Sequence, residues 1–437
     1  MSPEPTSRTP TDDHSARSNT GGVQESVEDF RGRARRWLDA NLARRDHTAK
    51  PRARGMDHKT VEGIAVERAK QRMLYDAGFA AITWPVEFGG QGLTAAHESA
   101  FEEEATGYQM PDLGISGIVT RIVCANVMLA HASAEFNRRH LPRIAAGDEL
   151  WVEFFSEPSA GSDLAGITTT AVRDGDQWIL NGAKVWTSGA YYADFGMCLA
   201  RTDWDVPKHR GLTWFAVPTD APGVTVRPLK EITGDVEFCE ESFTDVIIAD
   251  SERIGDVNDG WTVAATALFY EREASSGSLT SGPQRRDAPP LAPDLVELAR
   301  RSGRLDDPHI RQLIARAHVN DFALTQLGNR ISTTMRVDAR RGGALIGYTK
   351  LAAGTYEPQR ARAAIEIAGG RLLAWEAGEH AGITASLEIL NSRVTAIAGG
   401  SNEMQRNGIG ERVLGLPREP SADKDKSFRE VMRDARS

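Results

Sequence analysis

The chain has 437 residues, with 52 Lys and Arg against 61 Asp and Glu, a formal net charge of −9 and 40% apolar side chains. That length allows about three domain-sized units and a large core without disulfide or metal staples, while the acidic balance excludes a protein built to grip nucleic acid, which needs basic faces. The three cysteines, Cys124, Cys198 and Cys239, have no short-range pairing, so a disulfide framework and a four-cysteine zinc site are excluded too.

Residues 1–26 are rich in Ser, Thr, Pro, Asp, Arg and Gly and lack an apolar h-region, so a disordered tail is predicted rather than a secretory signal. No run approaches the roughly 20 apolar residues of a membrane span, and a cytoplasmic protein is expected. The basic patch Arg44–Arg54 reads as a solvated helix end and loop. Across 27–150 apolar residues recur at helical spacing, as in Phe30, Ala34 and Leu38, then Val66, Ala69 and Met73. The turn-rich Trp84–Gly92 interrupts this pattern, which resumes over Ala95–Ala105 and Val119–Ala130. An N-terminal helical domain is predicted.

Between 151 and 258 the period falls towards two. Trp178–Trp186 reads as two short β-runs around an Asn181-Gly182 hairpin turn, with further strands at Phe195–Arg201, Leu212–Val217, Val224–Pro228 and Ser242–Ile248. Short strands with close turn signals predict an antiparallel β-barrel or sandwich. From 259 to 417 the chain is helical again, over Trp261–Ser276, Pro308–Val337, Gly347–Gly369 and Ala374–Ala398, which reads as a four-helix bundle. Ser278–Asp294 reads as a mobile loop, and 418–437 as a charged, frayed tail. The fold class is therefore α+β and multidomain.

Three short motifs stand out. Phe155-Ser156-Glu157-Pro158-Ser159-Ala160-Gly161-Ser162-Asp163 offers backbone N–H groups and hydroxyls to an anion or a ring edge. Val185-Trp186-Thr187-Ser188-Gly189 sets an indole before two hydroxyls, and Gly399-Gly400-Ser401-Asn402-Glu403 leads a glycine pair into a helix start. Singly, each suits an ordinary turn, a core Trp or a helix cap. The ten histidines form no His-x-x-x-His pattern, so no metal is expected, and the absence of a Gly-x-Ser-x-Gly elbow argues against a thioester hydrolase.

Together and in this order, the motifs resemble those of the acyl-CoA dehydrogenase family, from about Phe30 to Glu419. Ser156–Asp163 is similar to that family's Thr-Glu-Pro…Ala-Gly-Ser-Asp, and Leu180–Trp186 to its Leu-Asn-Gly-x-Lys-x-Trp. Gly400–Gly415 resembles its closing Gly-Thr…Gln-Arg-Asn…Glu-Arg-x-Leu-Gly, and Trp84–Gly90 its Trp-Pro-x-x-x-Gly-Gly loop. The resemblance implies FAD-dependent α,β-dehydrogenation of an acyl-CoA thioester. It implies that Phe155 and Ser156 bond the flavin pyrimidine edge, and that Gly161 and Ser162 lie near the FAD phosphates and the CoA arm. Trp186 would pack on the isoalloxazine with Thr187 and Ser188 near N5, and Ser401 and Glu403 would touch the ribityl and pyrophosphate part. Gly369 and Gly370 match a turn that touches the FAD of a neighbouring subunit.

The α-proton of a thioester is weakly acidic, so a carboxylate must reach it, and donors must hold the enolate oxygen. Most of the family carries that Glu where this chain has Gly399, whose backbone N–H would still serve as a donor to the substrate. A minority, including isovaleryl-CoA and long-chain enzymes, has it in a Glu-Arg pair on the first bundle helix. Glu271 falls on that position, with Arg272 as its orienting partner in the substrate site. Two departures bear on assembly. The family's Arg-x-x-Phe-Gly is missing after the first bundle helix, and a Gln before the second glycine pair is replaced by Glu366, whose charge opposes a pyrophosphate. Similar departures occur in an actinobacterial-type branch that forms heterotetramers on steroid or other bulky acyl-CoA substrates. The expected partners are thus an acyl-CoA, an electron-transfer flavoprotein as acceptor, and either further copies of this chain or a second family member. A non-catalytic partner subunit and an oxygen-reactive flavoenzyme are the competing readings.

Overall fold

A computed structural model describes residues 25–45, 59–276, 292–372, 380–421 and 423–435. The expected N-terminal tail as far as residue 24, most of the basic patch and most of the loop Ser278–Asp294 lie outside them.

Helix α1 (Val27–Asn41) opens at Ser26, whose hydroxyl accepts the Asp29 N–H at 3.1 Å. Its stripe of Phe30, Ala34 and Leu38 is buried against Leu74 of α2 (Val61–Asp76) and Phe101 of α3 (Ala95–Ala105). A continuous helical run follows: α4 (Gly114–Ile118), a π-helical turn over Val119–Cys124, and α5 (Ala125–His131). Contrary to the sequence expectation, this run includes 18 residues long and apolar enough to cross a membrane. Its apolarity serves a core. Val123, Cys124, Val127 and Met128 pack with Leu199 and Trp214 of the sheet and with Ala264 and Ala267 beyond it. Helix α6 (Ala134–Ala146) ends at Gly147 in the left-handed region, φ 80°.

The strands are β1 (Trp151–Phe154), β2 (Thr170–Asp174), β3 (Gln177–Ser188), β4 (Phe195–Arg201), β5 (Leu212–Pro218), β6 (Val224–Pro228), β7 (Phe238–Ala249) and β8 (Arg253–Ile254). They form one eight-stranded sheet in the order β6-β7-β3-β2-β4-β5-β8, with β1 on β4. It is not wholly antiparallel, because β1 and β2 both run parallel to β4. The predicted Asn-Gly hairpin turn is corrected. β3 runs unbroken through Asn181-Gly182, and the reversal comes earlier, at Gly175-Asp176, since Asp174 pairs with Gln177. Asn181 and Gly182 form a bulge against β7. The Asn181 amide donates to Asp245 Oδ1 at 3.0 Å and its oxygen accepts Asp245 N–H at 2.9 Å. Gly182 has φ 150°, and a Cβ there would stand 2.5 Å from Thr169 Oγ1.

The C-terminal region holds α7 (Gly260–Ser276), α8 (Pro293–Arg301), α9 (Pro308–Val337), α10 (Ala339–Ala368), α11 (His380–Asn391), α12 (Val394–Ile397) and α13 (Asn402–Arg412). The sequence starts the third bundle helix at Gly347, eight residues late. Asp338 caps α10 through Arg341 N–H, and glycine at 342 lets the first turn lie against Met335, where a Cβ would stand 2.2 Å from its side chain. The predicted frayed tail is corrected as well. Residues Phe428–Asp434 form α14, with Phe428 stacked on Trp204 at 5.5 Å and the Arg201 guanidinium 4.0 Å from its ring centre. Phe428 N–H donates to Val206 O, and Arg429 pairs with Asp205 at 2.7 Å. One buried aromatic is enough to seat a segment whose composition is otherwise charged.

Candidate active site

The first two motifs meet in space. Lys184 on β3 is fully buried, and its ammonium donates to Phe155 O and to Glu157 Oε1, both at 3.0 Å. Glu157 also accepts the Thr168 and Thr169 N–H groups and the Thr168 hydroxyl. Burial pushes the Glu157 carboxyl up, but Lys184 and these donors outweigh it and hold it below its ordinary value. Ser156 O accepts Val185 N–H at 2.9 Å, and Phe155 sets its ring edge-on to Trp214. The Phe155–Ser156 backbone is therefore locked beside Val185 and Trp186. Gly161 and Ser162 are exposed, and a Cβ on Gly161 would meet nothing within 4 Å.

A second bulge, between Val185 and Thr187, throws Trp186 outward. Trp186 has φ 70°, rare for a bulky residue, and leaves 62% of its surface exposed. Its ring meets Phe238 edge-on at 5.9 Å and is otherwise open. Thr187 points the other way: it is buried and its hydroxyl donates to Glu241 Oε2 at 2.9 Å. Ser188 is half-buried, and its carbonyl accepts the Ser116 hydroxyl.

Glu271, with Arg272 beside it, lies in the last turns of α7. Burial raises the Glu271 carboxyl above its ordinary value, and the positive charges of Arg272 and Lys350 pull it only part of the way back. Lys350 comes from α10, is itself buried, and donates to Thr395 O of α12. A second carboxyl faces the same place. Glu153 on β1 is raised well above its ordinary value by burial and by the Glu271 charge, and its Oε1 is buried with no hydrogen bond. Two carboxyls sharing a crowded site cannot both ionise cheaply.

The glycine pair sits close to these turns of α10. Asn402 donates to Gly354 O at 3.2 Å, and buried Gln405 donates to the carbonyls of Gly399 and Gly400 at 3.0 and 3.1 Å. Gly399 and Gly400 have φ 65° and 87°, so both need the left-handed freedom of glycine. Ser401 caps α13 through Met404 N–H, while Glu403 is exposed and lies 3.9 Å from Arg406. Gly369 and Gly370 stand apart. They follow α10, about 28 Å along its axis from Lys350 at 1.5 Å per residue, and so do not join the cluster around Glu271. Beside them Arg304 donates to Glu366 O, and the Glu366 carboxylate pairs with His309.

Sequence reasoning missed Glu153, Lys184, Glu157 and Lys350. The first had a signal, a lone carboxylate inside the apolar run Trp151-Val152-Glu153-Phe154. The others depended on partners distant in the chain.

Three family models match in chain order: the acyl-CoA dehydrogenase N-terminal domain at residues 24–148, the middle domain at 153–246 and the C-terminal domain at 258–414. The chain belongs to the acyl-CoA dehydrogenase family. Acyl-CoA dehydrogenase IpdE1 of Mycobacterium tuberculosis is 38% identical over 395 residues, covering 90% of this chain and 99% of that protein. Among solved structures, the Tcur3481-Tcur3483 steroid acyl-CoA dehydrogenase superposes with a TM-score of 0.69 at 28% identity, over 91% of this chain and 99% of its own. The ChsE4-ChsE5 complex from Mycobacterium tuberculosis gives 0.65 at 26% identity, over the same shares of the two chains. As an acyl-CoA dehydrogenase the chain is an oxidoreductase acting on acyl-CoA, in a family of FAD flavoproteins.

Proposed function

We propose that this acyl-CoA dehydrogenase binds FAD and oxidises the Cα–Cβ bond of an acyl-CoA thioester to the trans-2-enoyl-CoA, with Glu271 as the base. The observation that carries the reading is the environment of Glu271. It is a crowded carboxyl of raised proton affinity on α7, within electrostatic reach of Glu153 on β1 and of Lys350, which belongs to the part of α10 against which the chain after Gly399 is seated. Such a carboxylate takes a weakly acidic proton more readily than a solvated one. The Gly399 N–H has no acceptor among the described residues and is free to hold the thioester oxygen as negative charge develops.

The residues present fit FAD. The strained, exposed Trp186 suits a flat ring, the locked Phe155–Ser156 edge suits its pyrimidine rim, and the open space at Gly161 admits a phosphate close to the backbone. Ser162, Ser188, Ser401 and Glu403 complete the proposed FAD contacts. Thr187 contributes through its backbone, since Glu241 occupies its hydroxyl. When bound, FAD accepts the hydride from the β-carbon, and an electron-transfer flavoprotein is the proposed acceptor beyond it. Gly369 and Gly370, remote from Glu271, would serve the FAD of a neighbouring subunit, with Arg304 held beside them by Glu366 O and Asp307.

The test is anaerobic titration of the purified yellow protein with acyl-CoAs ranging from short-chain to steroid-linked. Bleaching by at least one of them, lost in Glu271→Gln with FAD retained, is the expected result. A Glu271→Gln protein reduced at the parental rate removes Glu271 from the mechanism. A second reading, a non-catalytic partner subunit, is favoured by Gly399 and by the likeness to the two-component ChsE4-ChsE5 complex. It predicts a colourless chain that yields bound FAD only with a co-expressed family member.

A further inference from the structure

Two glycines stand in the interior of α10, where glycine weakens a helix relative to alanine. Gly347 and Gly354 share one face with Lys350, at the i, i+3, i+7 spacing of a helical stripe. What this face admits is the segment 395–405. A Cβ on Gly354 would collide with Asn402 Oδ1 and stand 3.1 Å from Thr395 O, and one on Gly347 would stand 3.1 Å from Gln405 Oε1. Between the two glycines the buried Lys350 ammonium donates to Thr395 O, and Asn402 donates to Gly354 O at 3.2 Å. The face is a seat for the segment that carries Gly399.

The peptide that bears the Gly399 N–H is held on both sides. Upstream, Ala398 N–H donates to Val394 O at 2.8 Å and closes α12, which Lys350 ties to α10 at Thr395. Downstream, buried Gln405 uses both hydrogens of one amide group. Its Nε2 donates to Gly399 O at 3.0 Å and to Gly400 O at 3.1 Å. A glycine pair has the widest conformational range of any dipeptide, so these two bonds remove much of its freedom to turn. A Cβ on Gly400 would stand 2.8 Å from Gln405 Nε2, so glycine at 400 is what lets the amide come so close. The Gly399 N–H itself has no acceptor among the described residues.

We propose that Gln405 is the positioning residue for enolate stabilisation: by fixing the two carbonyls that follow the Gly399 N–H, it keeps that donor aimed at the thioester oxygen. This rests on the dehydrogenase reading above and deepens it. A donor aimed in advance needs no reorganisation when negative charge develops on the oxygen. A donor free to swing loses much of that benefit, since small misplacements are costly at a reacting centre. Gly399 has no side chain to hold its own peptide, so the task falls to a neighbour.

The experiment uses the protein with FAD and any partner it carries. The probe is the 3-thia analogue of the acyl-CoA that bleaches the parental protein best. Sulfur replaces the β-carbon, so no hydride can leave, and transfer of the α-proton to Glu271 stops at the enolate. An enolate beside oxidised flavin gives a long-wavelength charge-transfer band, and the pH midpoint of that band reads how firmly the enolate is held. Gln405→Met keeps the bulk, removes both hydrogen bonds and leaves the charges of Glu271, Glu153, Arg272 and Lys350 as they are. It should raise the midpoint by about one pH unit, an about tenfold weaker hold on the enolate, with affinity for the un-ionised probe at low pH kept within about twofold. Gln405→Asn, which keeps an amide but draws it back, should give a smaller shift in the same direction, and it decides the matter if the methionine variant does not retain FAD. A midpoint unmoved in the variants, with or without a loss of low-pH affinity, overturns the proposal and leaves the dehydrogenase reading standing. A parental protein that neither bleaches nor forms the band sinks that reading and this proposal with it.

Discussion

Glu271 titrates where it does because protein has replaced water around it. Abstraction needs the ionised form, so flavin reduction should rise with pH through a limb lying above the ordinary carboxylate range, read by stopped-flow absorbance. Burial and the Glu271 charge both raise Glu153, so ionised Glu271 favours the protonated form of Glu153. Glu153→Gln, which mimics the protonated carboxyl, should therefore leave the limb in place. A limb displaced by about one pH unit or more would mean that Glu153 ionises first. Glu241, behind Thr187, is pushed from 4.5 to about 7 by burial, against the Thr187 hydrogen bond and the Lys184 charge. A carboxyl whose folded pKa is raised binds its proton more tightly folded than unfolded. Parental stability should therefore fall as pH climbs from about 4.5 to about 7 and change no further from this source above that. Glu241→Gln should gain up to about 3 kcal/mol over the parental chain at pH 8 relative to pH 4, measured by urea unfolding at both.

Strand β3 carries the working surface at the scale of elements, and its two bulges divide the labour. The bulge at Asn181-Gly182 bends the strand past Thr169 and ties it to β7 through Asp245. The bulge before Thr187 turns Trp186 outward while Lys184 and Thr187 stay inside. Period-two reading of this stretch found the β-structure and placed the turn wrongly, because Asn-Gly is the strongest short hairpin signal and a bulge uses the same left-handed freedom. Gly182→Ala would put a Cβ 2.5 Å from Thr169 Oγ1 and 2.7 Å from its Cα. It should cost more than about 2 kcal/mol in chemical unfolding. An unchanged midpoint would mean that the bulge relaxes freely.

Over the whole molecule, helical domain, sheet and helical bundle share one core through the run Gly114–His131, and the candidate site lies where they join. The bundle also presents apolar surface that the described residues leave uncovered. Val319 and Phe322, one turn apart on α9, are 62% and 40% exposed. Replacing both with Asp should lower the assembly mass in sedimentation if α9 is a subunit interface, and an unchanged mass would move the interface elsewhere. The order of helices, strands and helices and the three motifs were legible from the sequence alone. Each is a property of residues near one another in the chain, where periodicity and spacing act. Tertiary structure decided what distant segments do on meeting. It brings Glu153 and Lys350 within electrostatic reach of Glu271, and seats Phe428 on Trp204 where composition implied a loose end. The reason is physical: desolvation and charge pairing depend on which surfaces close over a group, and that is settled only by packing.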